Sequence, residues 1–375
     1  MLRAVKVRLL PTKEQEQLLN RNCGAKRVIY NLSKEVSEKY YARYGKTLKQ
    51  AAMQRYITHL KKRPKYEWLK AVSAETIKFA CGDYFEARKR SFKNLGHGYK
   101  TRFKSKRDIK QGFYSRHDTT KIHDMGVYLP SVGIVKTSRQ LPEKTKLSNP
   151  RVKFDGIYWT LSVGIEVERE PKILTVESIG VDVGIKELCV TSNGIRKENI
   201  NKTPKLRKLY RRKKKYQRQM SKRYIKGKKK QSSNYEKARK KKAKIERKIA
   251  NINLNHKHQA STEIVRTKPW RIVCEDIAIS NLMKNKKLAP SLQKVGIYEF
   301  IRQLKYKSEN YGIEFVQANR FFPSSKRCSC CGYVYDNKDY SKQWSLAIRE
   351  WECIKCKTVH DRDVNASKNL ANWSK

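Results

Sequence analysis

Near the N-terminus, apolar Ala4 or Val5, Val7 and Leu9 alternate with Arg3, Lys6 and Arg8, which predicts a short strand from Arg3 to Leu10. The period then lengthens. Pro11-Thr12-Lys13-Glu14-Gln15 offers Thr12 as a helix N-cap with Gln15 in the capping-box position, and Leu18, Ala25, Val28, Ile29, Leu32 and Val36 fall on one helical stripe. Helical sequence continues to about Phe92. Between Gly96 and Pro150 the texture turns β-like, in short pieces broken by Gly and Pro, such as Gly126 to Pro130 and Gly133 to Lys136. From Val152 strands dominate: Tyr158 to Val167, then Ser178 to Gly184, then Glu187 to Ser192 closed by Asn193-Gly194, the last two predicting a hairpin. Arg271 to Cys274 reads as a short buried strand.

From Lys205 to Lys248 the chain holds 23 Lys or Arg, against Glu236 and Glu246 as its acids. A block of like charge is usually disordered. Here two apolar stripes argue for a basic helical hairpin instead: Leu209, Tyr216, Met220 and Tyr224, then Tyr235, Ala238, Ile245, Ile249 and Ile252, with Gly227 and Ser232-Ser233-Asn234 between them. The whole chain has 88 Lys and Arg against 34 Asp and Glu, a formal charge of +54, which calls for a polyanionic partner. The basic residues run through the full length and alternate with 21 tyrosines, a distribution that suits nucleic acid better than a membrane surface. No stretch approaches the roughly 20 apolar residues of a membrane span. The first residues lack the apolar core of a secretory signal, so an intracellular protein is expected. The 375 residues, 38% of them hydrophobic, suffice for two or three domains.

Five of the nine cysteines lie between Cys328 and Cys356. Cys328 and Cys331 form one Cys-x-x-Cys knuckle and Cys353 and Cys356 another, 22 positions on (353 minus 331). Two such turns supply the four thiolates of a closed structural zinc site, leaving Cys330 spare and His360 outside the ligand set. Carboxylates suited to divalent metal are more scattered. Asp182 lies on the strand before Gly184, Glu275 follows Arg271 to Cys274, and Asp363 sits in His360-Asp361-Arg362-Asp363-Val364-Asn365-Ala366 ahead of helix-compatible sequence. Asp276 and Asp361 are the substitutes, although Glu275 and Asp276, as strand neighbours, cannot face the same ion. Taken singly, each acid is more often a cap or an ion-pair partner.

Together, Gly180-Val181-Asp182-Val183-Gly184-Ile185, Cys274-Glu275-Asp276-Ile277, Phe322-Pro323-Ser324-Ser325-Lys326 and Asp361-Arg362-Asp363-Val364-Asn365-Ala366 resemble the RuvC half of the TnpB family, relatives of type V CRISPR effectors. Phe103-Lys104-Ser105-Lys106-Arg107 and Leu129-Pro130 extend the resemblance through the first half, while Ser367 stands where Ala is common. The resemblance implies an α/β fold with additional modules. A β-rich wedge would span 1–10 and 96–172 and a helical recognition module 11–95. A ribonuclease-H-like nuclease domain would span 173–322 and 361–375, with the basic hairpin at 201–255 and a zinc-binding insertion at 323–360. It further implies Asp182, Glu275 and Asp363 as catalytic acids holding two Mg2+ ions, one Zn2+ on Cys328, Cys331, Cys353 and Cys356, a transposon-derived guide RNA, and double-stranded DNA cut beside a short flanking motif. Nucleic-acid contacts are expected from Lys104, Lys106, Arg107, Arg211, Arg212, Lys213 and Lys326, in a bacterial or archaeal cytoplasm. A guide-dependent repressor without cleavage and a DNA-joining transposase are the rival readings.

Overall fold

The alternation at the N-terminus becomes β1 (Leu2–Leu10), followed by the helices α1 (Lys13–Tyr44), α2 (Gln50–Leu60) and α3 (Ala74–Lys93). The computed structural model describes residues 2–93, 100–108, 110–142, 147–166, 173–228, 231–335 and 348–374. It divides into two units, Met1–Glu168 and Arg169–Lys375. In the first unit six more strands follow the helices: β2 (Gln111–Tyr114), β3 (Lys121–His123), β4 (Gly126–Leu129), β5 (Gly133–Thr137), β6 (Leu147–Phe154) and β7 (Trp159–Glu166). They form one antiparallel sheet of order β2-β6-β7-β1-β5-β4-β3, so β1 lies inside the sheet although it comes first in the chain. Val7 and Leu9 point into its core.

Thr12 caps α1 through the expected capping box with Gln15. The buried face of α1 is broader than the apolar stripe, however. Leu19, Asn22, Cys23, Ala25, Ile29, Tyr30, Ser33, Lys34 and Ser37 are buried, while Leu18, Val28, Leu32 and Val36 are only half-buried. The reason is that α1 is covered on two sides. Leu19 and Cys23 join the sheet core with Leu129 and Leu161, whereas Ala25 and Ile29 pack with Met53, Ile57, Ile77 and Ala80 of α2 and α3. A helix with two partners buries more than one stripe. Asn22 serves the seam, its carboxamide donating to Ser131 Oγ at 3.2 Å and accepting from Thr76 Oγ1 at 3.4 Å.

The second unit contains β8 (Thr175–Val183), β9 (Glu187–Thr191), β10 (Arg196–Glu198), α4 (Pro204–Arg223), α5 (Ser233–Arg266), β11 (Pro269–Glu275), α6 (Ile279–Leu282), α7 (Ala289–Val295), α8 (Ile297–Tyr311), β12 (Glu314–Ala318), β13 (Glu350–Glu352), β14 (Val359–Asp361) and α9 (Arg362–Ala371). Its main sheet has the order β10-β9-β8-β11-β12, an antiparallel meander joined to two strands parallel to β8. This is the mixed sheet of the ribonuclease-H-like class. Ile179, Val181 and Val183 of β8 and Ile272 and Cys274 of β11 pack against Ala260, Ile264 and Val265 of α5 and Phe300 and Leu304 of α8. With a period of two, the intervening Gly180, Asp182, Val273 and Glu275 face the other side, where α9 lies.

The basic segment forms the expected hairpin, with Leu206 and Leu209 of α4 seated on Ile245 and Ile249 of α5. It differs from expectation at both ends. Tyr224 is exposed at the tip, and α5 does not stop near residue 255 but continues unbroken to Arg266, where its apolar face covers the sheet. Among the described residues no helix is long and apolar enough to cross a membrane.

On the opposite face α9 approaches β8 so closely that a Cβ on Gly180 would lie 1.9 Å from Ser367 O and 2.4 Å from Ala371 N. Both contacts are backbone and cannot rotate away. Gly180→Ala must therefore lift α9 from β8, at about 2–3 kcal/mol for an overpacked site. A fall of roughly 5–10 °C in the thermal midpoint of the second unit is expected, read by circular dichroism. An unchanged midpoint would contradict this packing.

Candidate metal-binding acid site and cysteine centre

Asp182 and Glu275 reach the same end and the same face of the sheet because β8 and β11 are parallel neighbours, with Val181 paired to Cys274. Asp363 comes from the first turn of α9, and Asp361 is its N-cap, accepting from the backbone N–H groups of Asp363 and Val364 at 3.0 Å each. Burial pushes the carboxyl of Asp182 up to about 8, with the charges of Asp363 and Glu275 adding to the effect. Burial and then Asp276 also raise Glu275. Burial and the neighbouring negative charges both disfavour the ionised form of Asp182, the form that a bound cation would favour. Beside Asp182 lies a cavity of about 60 Å³ that Glu187, Arg349 and Asp363 also line. It is large enough for a cation with water ligands. An all-oxygen donor set of this kind fits a hard divalent ion.

The understudies are engaged elsewhere. Asp276 pairs with Arg320 at 2.6 Å, and Asp361, besides capping α9, pairs with Arg196 at 2.7 Å. Two residues not singled out from sequence enter the site. Arg349 makes a two-pronged contact to Asp363, its Nη1 lying 3.0 and 2.9 Å from the two carboxylate oxygens. No spacing could have announced it, because it is brought there by the β13–β14 ladder, which pairs Glu350 with Asp361. Glu187 was more accessible to reasoning. It is the first residue of β9, next to Leu188, whose carbonyl accepts from Gly184 N–H at 3.4 Å, and Gly184 is two positions from Asp182.

The cysteine centre is tighter. Among the described residues, Cys328, Cys331, Cys353 and Cys356 are the one group of three or more potential ligands whose donor atoms all lie within 4.8 Å of one another. Cys328 Sγ is 3.6 Å from Cys356 Sγ, and Cys331 Sγ is 3.6 Å from Cys353 Sγ. A tetrahedron with Zn–S bonds of about 2.3 Å has edges of about 3.8 Å, so the thiolates fit that ion. His360 Nε2 lies 3.1 Å from Cys328 Sγ and its ring packs on Trp351, the place of a supporting side chain outside the set of four. Cys330 is exposed.

The basic residues divide by unit. In the first, Asn31 holds the backbone of Lys104 at both its N–H and its carbonyl, and Lys104, Lys106 and Arg107 are exposed on the following loop. In the second, Arg211 and Arg212 are exposed, but Lys213 turns across the hairpin to Glu246 at 3.1 Å. The open cationic face of α4 is instead Arg211, Lys214, Lys215, Arg218 and Lys222, spaced along one side of the helix. Lys326 is half-buried at the base of the first knuckle.

The raised carboxyl of Asp182 has a measurable consequence. The folded metal-free chain keeps a proton there that the unfolded chain releases near pH 4, so the associated stability is complete in acid and is lost as pH rises from about 4 to about 8. Chemical denaturation without metal should therefore show wild type losing ground to Asp182→Asn across that window. Added divalent cation should restore the wild type alone. A pH-independent difference would rule out the raised, buried carboxyl of Asp182.

A family profile described as "Cas12f1-like, TNB domain" matches residues 298–370, and one described as "Probable transposase", the OrfB protein of IS605, matches 162–286. A third, described as a helix-turn-helix domain, matches 1–46, which here form β1 and the single long helix α1. A Streptomyces pristinaespiralis protein, provisionally named an RNA-guided DNA endonuclease, is 32% identical over 98% of this chain and 88% of its own. The similarly named InsQ of Escherichia coli K12 is 25% identical over 98% of this chain and 91% of its own. Among solved structures, the Cas12f1 chain from a cryo-EM complex with sgRNA and target DNA covers 99% of both chains with a TM-score of 0.54 at 14% identity, a likeness of fold. With a relative at this identity over nearly its whole length, and with the transposase profile spanning both Asp182 and Glu275, the chain belongs to the TnpB (OrfB) family.

Proposed function

We propose that this chain is a guide-RNA-dependent DNA endonuclease that hydrolyses phosphodiester bonds at Asp182, Glu275 and Asp363. The observation that carries the reading is the meeting of these acids at one sheet end, where Asp182 is raised by the other two. The names of the relatives and the charge of +54 support guide RNA and target DNA as partners, and hence work at the nucleoid in the cytoplasm. Divalent cations bound there, two Mg2+ ions in this reading, would supply Lewis acidity toward water and the phosphate oxygens. Asp182, Glu275 and Asp363 would be the residues that hold these cations. Arg349 would exchange its hold on Asp363 for the scissile phosphate, supplying a fixed fork of donors to the charge that grows there. The exposed face of α4, from Arg211 to Lys222, would follow phosphates of the guide or heteroduplex. The four cysteines would hold one structural Zn2+, which orders the segment from which Arg349 projects.

The test is expression of the chain with the DNA flanking its gene, sequencing of the copurifying RNA, and incubation with a matching plasmid library and magnesium. One discrete RNA and motif-dependent cutting are expected, with Asp182→Ala lowering the cleavage rate roughly a thousandfold or more while RNA is retained. RNA binding without cutting by the wild type would transfer the assignment to a guide-dependent repressor. For the cysteine centre, elemental analysis should give one zinc per chain. Cys353→Ser should lose it together with the near-ultraviolet signal of Trp351, because zinc-site folding and binding are one process.

A further inference from the structure

We infer that Asn365 is a positioning residue that clamps the first cysteine knuckle to the acid-bearing turn of α9, so that divalent-ion affinity at the acid site depends on the geometry of the cysteine centre. The inference rests on the reading of Asp182, Glu275 and Asp363 as divalent-metal ligands.

Asn365 is buried, two residues after Asp363 on α9. Its Oδ1 accepts from Ser329 N–H at 2.8 Å and its Nδ2 donates to Arg327 O at 2.8 Å. These are the residues on either side of Cys328, so one carboxamide spans a metal ligand from both flanks. Buried Asn369, one turn further along, repeats the grip, its Nδ2 donating to Arg327 O at 2.6 Å and Ser324 O at 2.8 Å. On the other side of the same turn, Arg362 N–H donates to Arg349 O at 2.7 Å, and the Arg349 guanidinium holds Asp363.

The start of α9 is thus held by both knuckle-bearing segments, while its second half, at Ser367 and Ala371, is seated on Gly180. A displacement of residues 327–329 cannot be absorbed by a loop, because α9 begins within the clamp. A buried apolar side chain could fill the volume of Asn365. It could not offer one donor and one acceptor to two backbone groups two residues apart, which is the requirement that selects a carboxamide of this length. Groups that orient metal ligands from outside the coordination shell typically change affinity by about 10–100-fold when removed.

The experiment uses the full chain and Mn2+ alone as probe, titrated by electron paramagnetic resonance, with zinc content and thermal midpoint measured on the same samples. Asn365→Ala removes the clamp from the helix side. Ser329→Pro removes the N–H from the knuckle side, with Asn365 and all four cysteines left in place. Both should weaken Mn2+ binding by about 10–100-fold. Lys368→Ala, an exposed change on the same helix, should leave it unaltered. Unchanged Mn2+ affinity in both variants overturns the clamp, whether or not zinc is retained. If Asp182→Asn binds Mn2+ as tightly as wild type, the acid-site reading fails instead. If Asp182→Asn abolishes binding while both clamp variants match wild type, only the clamp fails.

Discussion

The second unit depends on how closely one helix can lie on one strand. The backbone of α9 occupies the space where any side chain at position 180 would be, so the helix sits on β8 with no intervening layer. Asp182 is two residues along that strand and on the same face, and Asp363 opens that helix. Their proximity follows from this backbone contact rather than from any attraction between them, which is repulsive. The sheet supplies the rigidity that lets like charges be held together, and the positively charged Arg349 offsets part of the strain.

Much of this was legible in the sequence, for identifiable reasons. Ser178 to Gly184 reads as a strand carrying Asp182, and in the structure Ile179, Val181 and Val183 fill the core under α5 and α8 while Gly180 and Asp182 take the other face. The same alternation separated Glu275 from Asp276, and the ion pair of Asp276 with Arg320 is the complement of that separation. The cysteine pairs were legible because a knuckle is a local turn whose spacing is fixed by its own geometry.

What stayed hidden was set by tertiary partners. The face of α1 was misjudged because two different cores claim it, and polar Asn22, Ser33 and Ser37 are buried where an apolar stripe cannot forecast them. Arg349 reaches Asp363 through a short ladder between residues 11 positions apart (361 minus 350), with no repeating signal in either strand. Among the basic residues, identity said nothing of direction. Lys213 and Lys214 look alike in sequence, yet one faces Glu246 across the hairpin and the other faces solvent.

The unbroken course of α5 bears on how the protein can be taken apart. At 1.5 Å per residue its 34 residues form a rod of about 50 Å, carrying lysines at one end and the cover of the sheet at the other. The electrostatic arm and the hydrophobic core are therefore two stretches of one girder, with no joint between them. Excising 201–255 as though it were an appendage would leave an 11-residue stub, 256–266, too short to hold helical form on its own in water. Ala260, Ile264 and Val265 would then no longer be presented to the sheet as a set, and β11, which begins three residues after the helix ends (269 minus 266), would lose the support that delivers Glu275 to its place.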